Sequence, residues 1–244
     1  MRPRPAPPNP KLRKRVRTPK VRRKPKVRQG VLKVRQSVPK VRRGAPRPKN
    51  PLIRSDKVLA VFGLGNPLRH GGLSASYNGT RHNIGKEAAL SLKGRMPLAF
   101  KGPFADIYVR GGRALIEGNI YMNESGLAFK DAVKKLKIKA EDILVLCDDF
   151  NIELGKMRYR VSGSSGGHKG LDSVIEEAGT DNFPRLRLGI GPPVFDYAGV
   201  KDWVLEAFQA DERAKAEALR KAASDFVKSK WGRSWPGENN GFNV

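Results

Sequence analysis

The chain has 244 residues, with 49 Lys and Arg against 23 Asp and Glu, a formal net charge of +26. Twenty of the basic residues and none of the acidic ones fall in residues 1–50, so most of the excess is a tail on a mildly basic chain large enough to bury a sizeable core. The single cysteine, Cys147, excludes an internal disulfide; three widely spaced histidines (His70, His82, His168) argue against a zinc site; no apolar run approaches the roughly 18 residues of a membrane span.

Within the tail, Lys-Val-Arg recurs at 20–22, 26–28, 33–35 and 40–42. Pro19, Pro25, Pro39, Pro46 and Pro48 remove backbone donors, and there is too little apolar surface to offset the entropy of ordering. Residues 1–50 are therefore expected to be disordered on their own. A strand carrying Arg22, Arg28, Arg35 and Arg42 releases counterions from each phosphate it neutralises, which predicts RNA binding with little sequence preference. The alternative is a targeting extension. Mitochondrial presequences are also Arg-rich and acid-poor, but this segment is Pro-rich with few serines, and it has no apolar region of a secretory signal.

From Lys57 the pattern changes. The apolar run KVLAVFGLGNP predicts a buried strand, and NIGKEAALSLKG an amphipathic helix closed by Gly94. ADIYVRGGRALIEG reads as a hairpin about Gly111-Gly112. Ser125 is placed as the cap of a helix over GLAFKDAVKKLKI. DILVLCDD predicts a second buried strand, with two carboxylates at its C-terminal end, where ligands gather in open α/β sheets. KMRYRVSG and RLRLGIG are further strands, and DERAKAEALRKAASDFVKSKW a long C-terminal helix. Alternating strands and helices predict one α/β sandwich.

Two nucleotide motifs fail. GLGNPL has Leu68 where a dinucleotide fingerprint needs its third glycine. GSSGGHKG has His168 where a P-loop needs glycine, and no Ser or Thr follows Lys169. No NTP, NAD or other cofactor is expected.

Taken together and in order, GLGNP (63–67), YNGTRHNIG (77–85), YMNESG (121–126), LCDDFNIELGKMR (146–158), GGHKGLDS (166–173) and FPRLRLGIG (183–191) resemble the bacterial-type peptidyl-tRNA hydrolase family. The resemblance implies a single α/β domain, a sandwich on a twisted mixed sheet. It also implies cleavage of the ester joining a peptide to the tRNA 3′ end, by water and without a metal. His82 matches the family's general base and Asp148 its orienting carboxylate; Asn66 and Asn123 match amides that place substrate and water. Tyr77 and Tyr121 match positions contacting the tRNA end, and Arg158 and Arg187 a phosphate clamp. Asp149 reads as a neighbour without a role. Read without the family, Asp148 is a turn cap at a strand end, Tyr121 is core, and the two arginines are a solvated strand face.

Two departures bear on activity. Lys169 stands where the family has asparagine; a cation beside His82 would oppose the imidazolium that catalysis needs, or would grip a phosphate. Residues 68–76, LRHGGLSAS, lengthen the link from Pro67 to Tyr77 and would cover the pocket or displace Tyr77. Three functions follow. The first is a structural RNA-binding component of a mitochondrial ribosome with weakened hydrolysis, a monomer within an assembly of rRNA and ribosomal proteins. The second is an active organellar (mitochondrial or plastid) enzyme on peptidyl-tRNA, and the third an RNA-processing or intron-splicing cofactor. The expected layout is an RNA-binding extension at 1–50, the hydrolase-like domain at 51–232 and a tail at 233–244.

Overall fold

The computed structural model describes residues 57–68, 77–193 and 199–243. The basic tail with Arg22, Arg28, Arg35 and Arg42, and all of the 68–76 segment except Leu68, lie outside them.

The first strand, β1 (Leu59–Gly63), is buried throughout. Its continuous apolar run is required because the sheet is covered on both faces. Ala60 and Phe62 join one core, Leu59 and Val61 the other. After α1 (Ile84–Leu90) come β2 (Leu98–Phe100) and the hairpin β3 (Ala105–Arg110) and β4 (Arg113–Gly118). Then follow α2 (Ser125–Leu136), β5 (Ile143–Asp149), β6 (Lys156–Arg160), α3 (Lys169–Ala178) and β7 (Arg185–Gly189). The chain ends with α4 (Val200–Leu205), α5 (Arg213–Lys230) and β8 (Asn240–Asn243).

These strands form one mixed sheet of eight in the order β2-β3-β4-β1-β5-β7-β6-β8. The central β4, β1, β5 and β7 are parallel, and antiparallel strands flank them. Helices α2 and α3 pack on one face around Phe129, Leu171 and Phe183. Helices α1 and α5 pack on the other with Ile84, Leu219 and Trp231, whose indole N–H donates to the Leu59 carbonyl at 2.8 Å. The α/β sandwich expected from the sequence is the observed architecture. Because β1 pairs with β4 on one side and β5 on the other, the loops leaving their C-terminal ends diverge and open a crevice there.

Three local expectations change, and one helix is added to them. Helix α1 stops at Leu90, before Gly94. Ser125 does not cap α2. It is the first residue of that helix, follows a 3-10 turn at Met122–Glu124, and its hydroxyl donates back to the Met122 carbonyl at 2.7 Å. The glycine-rich stretch after Arg160 leads into a full helix, α3. The segment after Trp231 supplies the edge strand β8, which pairs with β6 and packs Phe242 at a tilt against Phe226. Short or polar segments such as NGFN carry too little periodicity to announce a strand before a partner edge exists.

The α2–α3 contact is close because Gly126 has no side chain. A Cβ there would meet the Ser173 carbonyl, while the Gly126 N–H donates to Ser173 Oγ at 3.0 Å. Gly126→Ala should therefore destabilise the fold by about 1–3 kcal/mol through overpacking, read as a lowered midpoint in chemical unfolding. An unchanged midpoint would mean that the two helices separate freely.

Candidate active site

His82 lies in a 3-10 turn between β1 and α1, and its two neighbours hold that turn in place. The Arg81 side chain is fully buried, stacked 3.6 Å above Trp203, and donates to the Ala207 carbonyl and to Glu212 Oε2 at 2.9 and 2.7 Å. Asn83 makes a two-way clasp with Asn66: its Oδ1 accepts the Asn66 N–H at 2.8 Å and its Nδ2 donates to the Asn66 carbonyl at 3.1 Å. With both neighbours turned into the protein, His82 faces a cavity of about 480 Å³ at the crevice.

Asp148, near the end of β5 and 2% exposed, is the centre of the site. His82 Nδ1 lies 2.9 and 3.0 Å from its two carboxylate oxygens. The second partner is His168, whose Nε2 is 2.9 Å from Asp148 Oδ1. At the N-terminus of α3, His168 Nδ1 accepts the amide N–H groups of Gly170 and Leu171 at 3.1 and 3.2 Å. A nitrogen that accepts two N–H bonds has no proton, so His168 is the Nε2–H tautomer and donates to Asp148. For the same carboxylate to accept from His82, that ring must be protonated at Nδ1, which leaves Nε2 as the nitrogen open to the cavity.

Electrostatics follow from this sharing. Burial pushes Asp148 up, but the charge of His82 when protonated and the hydrogen bonds from His82 and His168 outweigh it and hold the carboxyl well below its ordinary range. Burial lowers His82, and the Asp148 charge and hydrogen bond more than reverse this, leaving it above the ordinary 6.5. The carboxylate thus stays ionised and stabilises an imidazolium whenever His82 takes a proton. These three residues also form a group of possible metal ligands among the described residues. Their donors, however, already satisfy one another: both His168 nitrogens and His82 Nδ1 are used in hydrogen bonds.

Asn66 is held at every other polar group. Its N–H and C=O go to Asn83, and its Oδ1 accepts the Met122 N–H at 2.9 Å. Only the Nδ2 donors remain for the cavity it lines. Asn123, exposed in the turn before α2, lines the same cavity. An open imidazole nitrogen on a buried carboxylate, flanked by amide donors, can activate water as a nucleophile and stabilise an oxyanion.

The remaining site residues divide. Arg187 lines the cavity, and its guanidinium is held by Asp149 Oδ2 at 3.1 Å and by the carbonyls of Ser164 and Ser165 at 2.8 and 3.2 Å. Asp149, read from sequence as having no role, is thus the carboxylate that fixes Arg187. Arg158 sits opposite Arg187 in the β6–β7 register, exposed and outside the cavity lining. Tyr77 and Tyr121 are half-buried and do not line it either.

Lys169 also departs from expectation. It is the first residue of α3, its side chain is 76% exposed, and its ammonium lies 3.5 Å from Asp172. It lines the cavity rim, and the charge that governs His82 is that of Asp148. The residue before it does the inner work. The glycine-rich loop is accordingly a rim. Gly166 and Gly167, at φ 64° and 85°, take left-handed turns that larger residues resist. Arg185 and Arg187 bind its carbonyls from beneath. Sequence reasoning missed His168 because a histidine gives no sign of capping until the helix behind it is known; the available signal was its place immediately before an amphipathic run.

Residues 60–243 match the profile of the family described as peptidyl-tRNA hydrolase. The chain is 42% identical over 174 residues to the peptidyl-tRNA hydrolase of Methylacidiphilum infernorum, covering 69% of this chain and 88% of that one. It is 38% identical over 181 residues to that of Aquifex aeolicus, covering 70% and 90%. A crystal structure of peptidyl-tRNA hydrolase from Acinetobacter baumannii superposes with a TM-score of 0.61 at 29% identity, covering 70% and 87%.

In an NMR titration the His82 ring should show a midpoint above 6.5. Asp148→Asn should lower that midpoint, since burial then acts unopposed. A midpoint that ignores the substitution would remove Asp148 as its electrostatic partner.

Proposed function

The chain belongs to the peptidyl-tRNA hydrolase family, and on that premise we propose that it is an active hydrolase of the ester between a peptide and the tRNA 3′ end. The observation that carries this is the His82–Asp148 pair, with Nε2 open to the cavity. His82 Nε2 takes a proton from water as the water oxygen attacks the ester carbonyl. Asp148 stabilises the imidazolium, and the amide donors of Asn66 and Asn123 meet the oxyanion. As the intermediate collapses, the imidazolium returns its proton to the departing ribose oxygen.

Arg158 and Arg187, opposite each other on β6 and β7, are the cationic groups that would receive a tRNA phosphate near the cavity. The basic residues of 1–50 favour a second attachment to RNA, by charge alone and without sequence preference. That tail is also the single observation favouring the other reading, a structural component of a mitochondrial ribosome. Lys169, whose exposed ammonium lies 3.5 Å from Asp172, adds little to that second reading. A mitochondrial or plastid setting is proposed on the same basic tail.

Hydrolysis of peptidyl-tRNA by the purified chain decides between the two. Asp148→Asn should lower kcat by roughly 10³–10⁴, the scale seen when a buried carboxylate partner of a base is lost, whereas Lys169→Asn should leave kcat within about threefold, as expected for a solvated surface charge. An inactive native chain that sediments with a ribosomal subunit through moderate salt would establish the structural reading instead.

RNA affinity supplies a separate check. Removing residues 1–50 should flatten the fall of log K with log salt, each lost phosphate contact taking about 0.7–0.9 from the slope. An unchanged slope would mean that the RNA contacts lie elsewhere.

A further inference from the structure

Lys86, in the first turn of α1, is 3% exposed and turned toward the interior. Its ammonium donates to the Asn66 carbonyl at 3.1 Å and to the Gly118 carbonyl at 2.8 Å. Gly118 ends β4, and the same segment continues to Met122, whose N–H fixes Asn66 Oδ1. The stem is seated closely: a Cβ on Gly65 would fall 2.6 Å from Lys86 Cβ. An apolar side chain would fill this space without bringing a charge into the interior, so the buried ammonium calls for a reason. We propose that Lys86 is a positioning residue for the reaction: its ammonium staples the loop after β1 to the end of β4 and thereby aims the Asn66 amide nitrogen into the cavity. The inference rests on the hydrolase reading for its kinetic consequence, but its geometric content does not.

The staple is sensitive to alkaline pH. Burial pulls Lys86 from 10.5 down to about 8, against the attraction of the Glu117 carboxylate on β4. From the β1 side it meets the backbone carbonyl of Asn66, which also accepts from the Asn83 side-chain amide, and both groups are uncharged. On its own helix, Glu87 is engaged with Arg220 and the Gly79 N–H. Lys93 binds Glu117 at 3.0 Å and the Tyr108 hydroxyl at 2.7 Å, so Glu117 links the buried ammonium to the surface. As pH rises through about 8, Lys86 loses its proton, the pull on the two carbonyls weakens, and the Asn66 donor loosens.

The test is an NMR titration of the Asn66 side-chain amide on the full chain, alongside kcat and KM across the same pH range. In the native chain the amide should titrate with a midpoint near 8. Lys86→Met should abolish that titration, lower kcat by roughly 10- to 100-fold with KM little changed, and remove the alkaline fall in kcat. Glu117→Gln, at a partly exposed position, should shift both the amide midpoint and the alkaline limb to lower pH, because the carboxylate that supports the charge is gone. A merely structural lysine would change the unfolding midpoint without moving either pH profile. An Asn66 amide that does not titrate, or a midpoint indifferent to Glu117→Gln, overturns the proposal, and the latter variant decides even if Lys86→Met fails to fold. Absence of hydrolysis by the native chain would sink the proposed activity and leave the amide titration to judge Lys86.

Discussion

A single buried carboxylate organises this molecule. Asp148 remains ionised at 2% exposure because two imidazoles from distant parts of the chain donate to it. An unpaired charge at that depth would shift its pKa and neutralise, and His82 would lose its partner. Everything that brings His82 and His168 to the end of β5 therefore serves the electrostatics of one group. The Arg81–Trp203 stack and the Asn83–Asn66 clasp set the turn of His82. The cap of α3 sets the tautomer of His168.

His168 gives that arrangement its direction. Backbone amides cannot be deprotonated at ordinary pH, so two of them pointing at Nδ1 impose Nε2–H on the ring. That proton occupies one oxygen of Asp148, and the remaining capacity of the carboxylate faces His82. Orientation thus passes from a helix end to a ring, from the ring to a carboxylate, and from the carboxylate to the His82 ring. The same logic recurs at Asn66, where three partners use every polar group except the one that faces the cavity.

The sheet explains why these groups converge. Parallel β4, β1 and β5 end on the same side, so Asn66, Asn123 and Asp148, far apart in the chain, leave the sheet at adjacent points. The outer arginines obey a different constraint. Arg158 and Arg187 are neighbours only through an antiparallel pairing, and like charges directly opposite repel. Asp149 and two loop carbonyls relieve Arg187, while Arg158 remains in solvent.

Much of this was legible in the chain. Strands β1 and β5 declared themselves by long apolar runs, because a central strand covered on both faces carries a polar side chain only where partners satisfy it. The family, and with it His82, Asp148, Asn66 and Asn123, was written in six ordered motifs. What the chain could not express was where side chains point. Lys169 and His168 are adjacent, yet the first faces solvent and the second the buried carboxylate, because a helix begins between them and its free amides claim the histidine. Lys86 reads as an ordinary polar position on an amphipathic helix and becomes an interior staple only when β4 ends beside it. Composition and periodicity record which residues are buried together; hydrogen-bond direction, tautomer and the burial of a charge depend on atoms that meet only after the sheet is assembled.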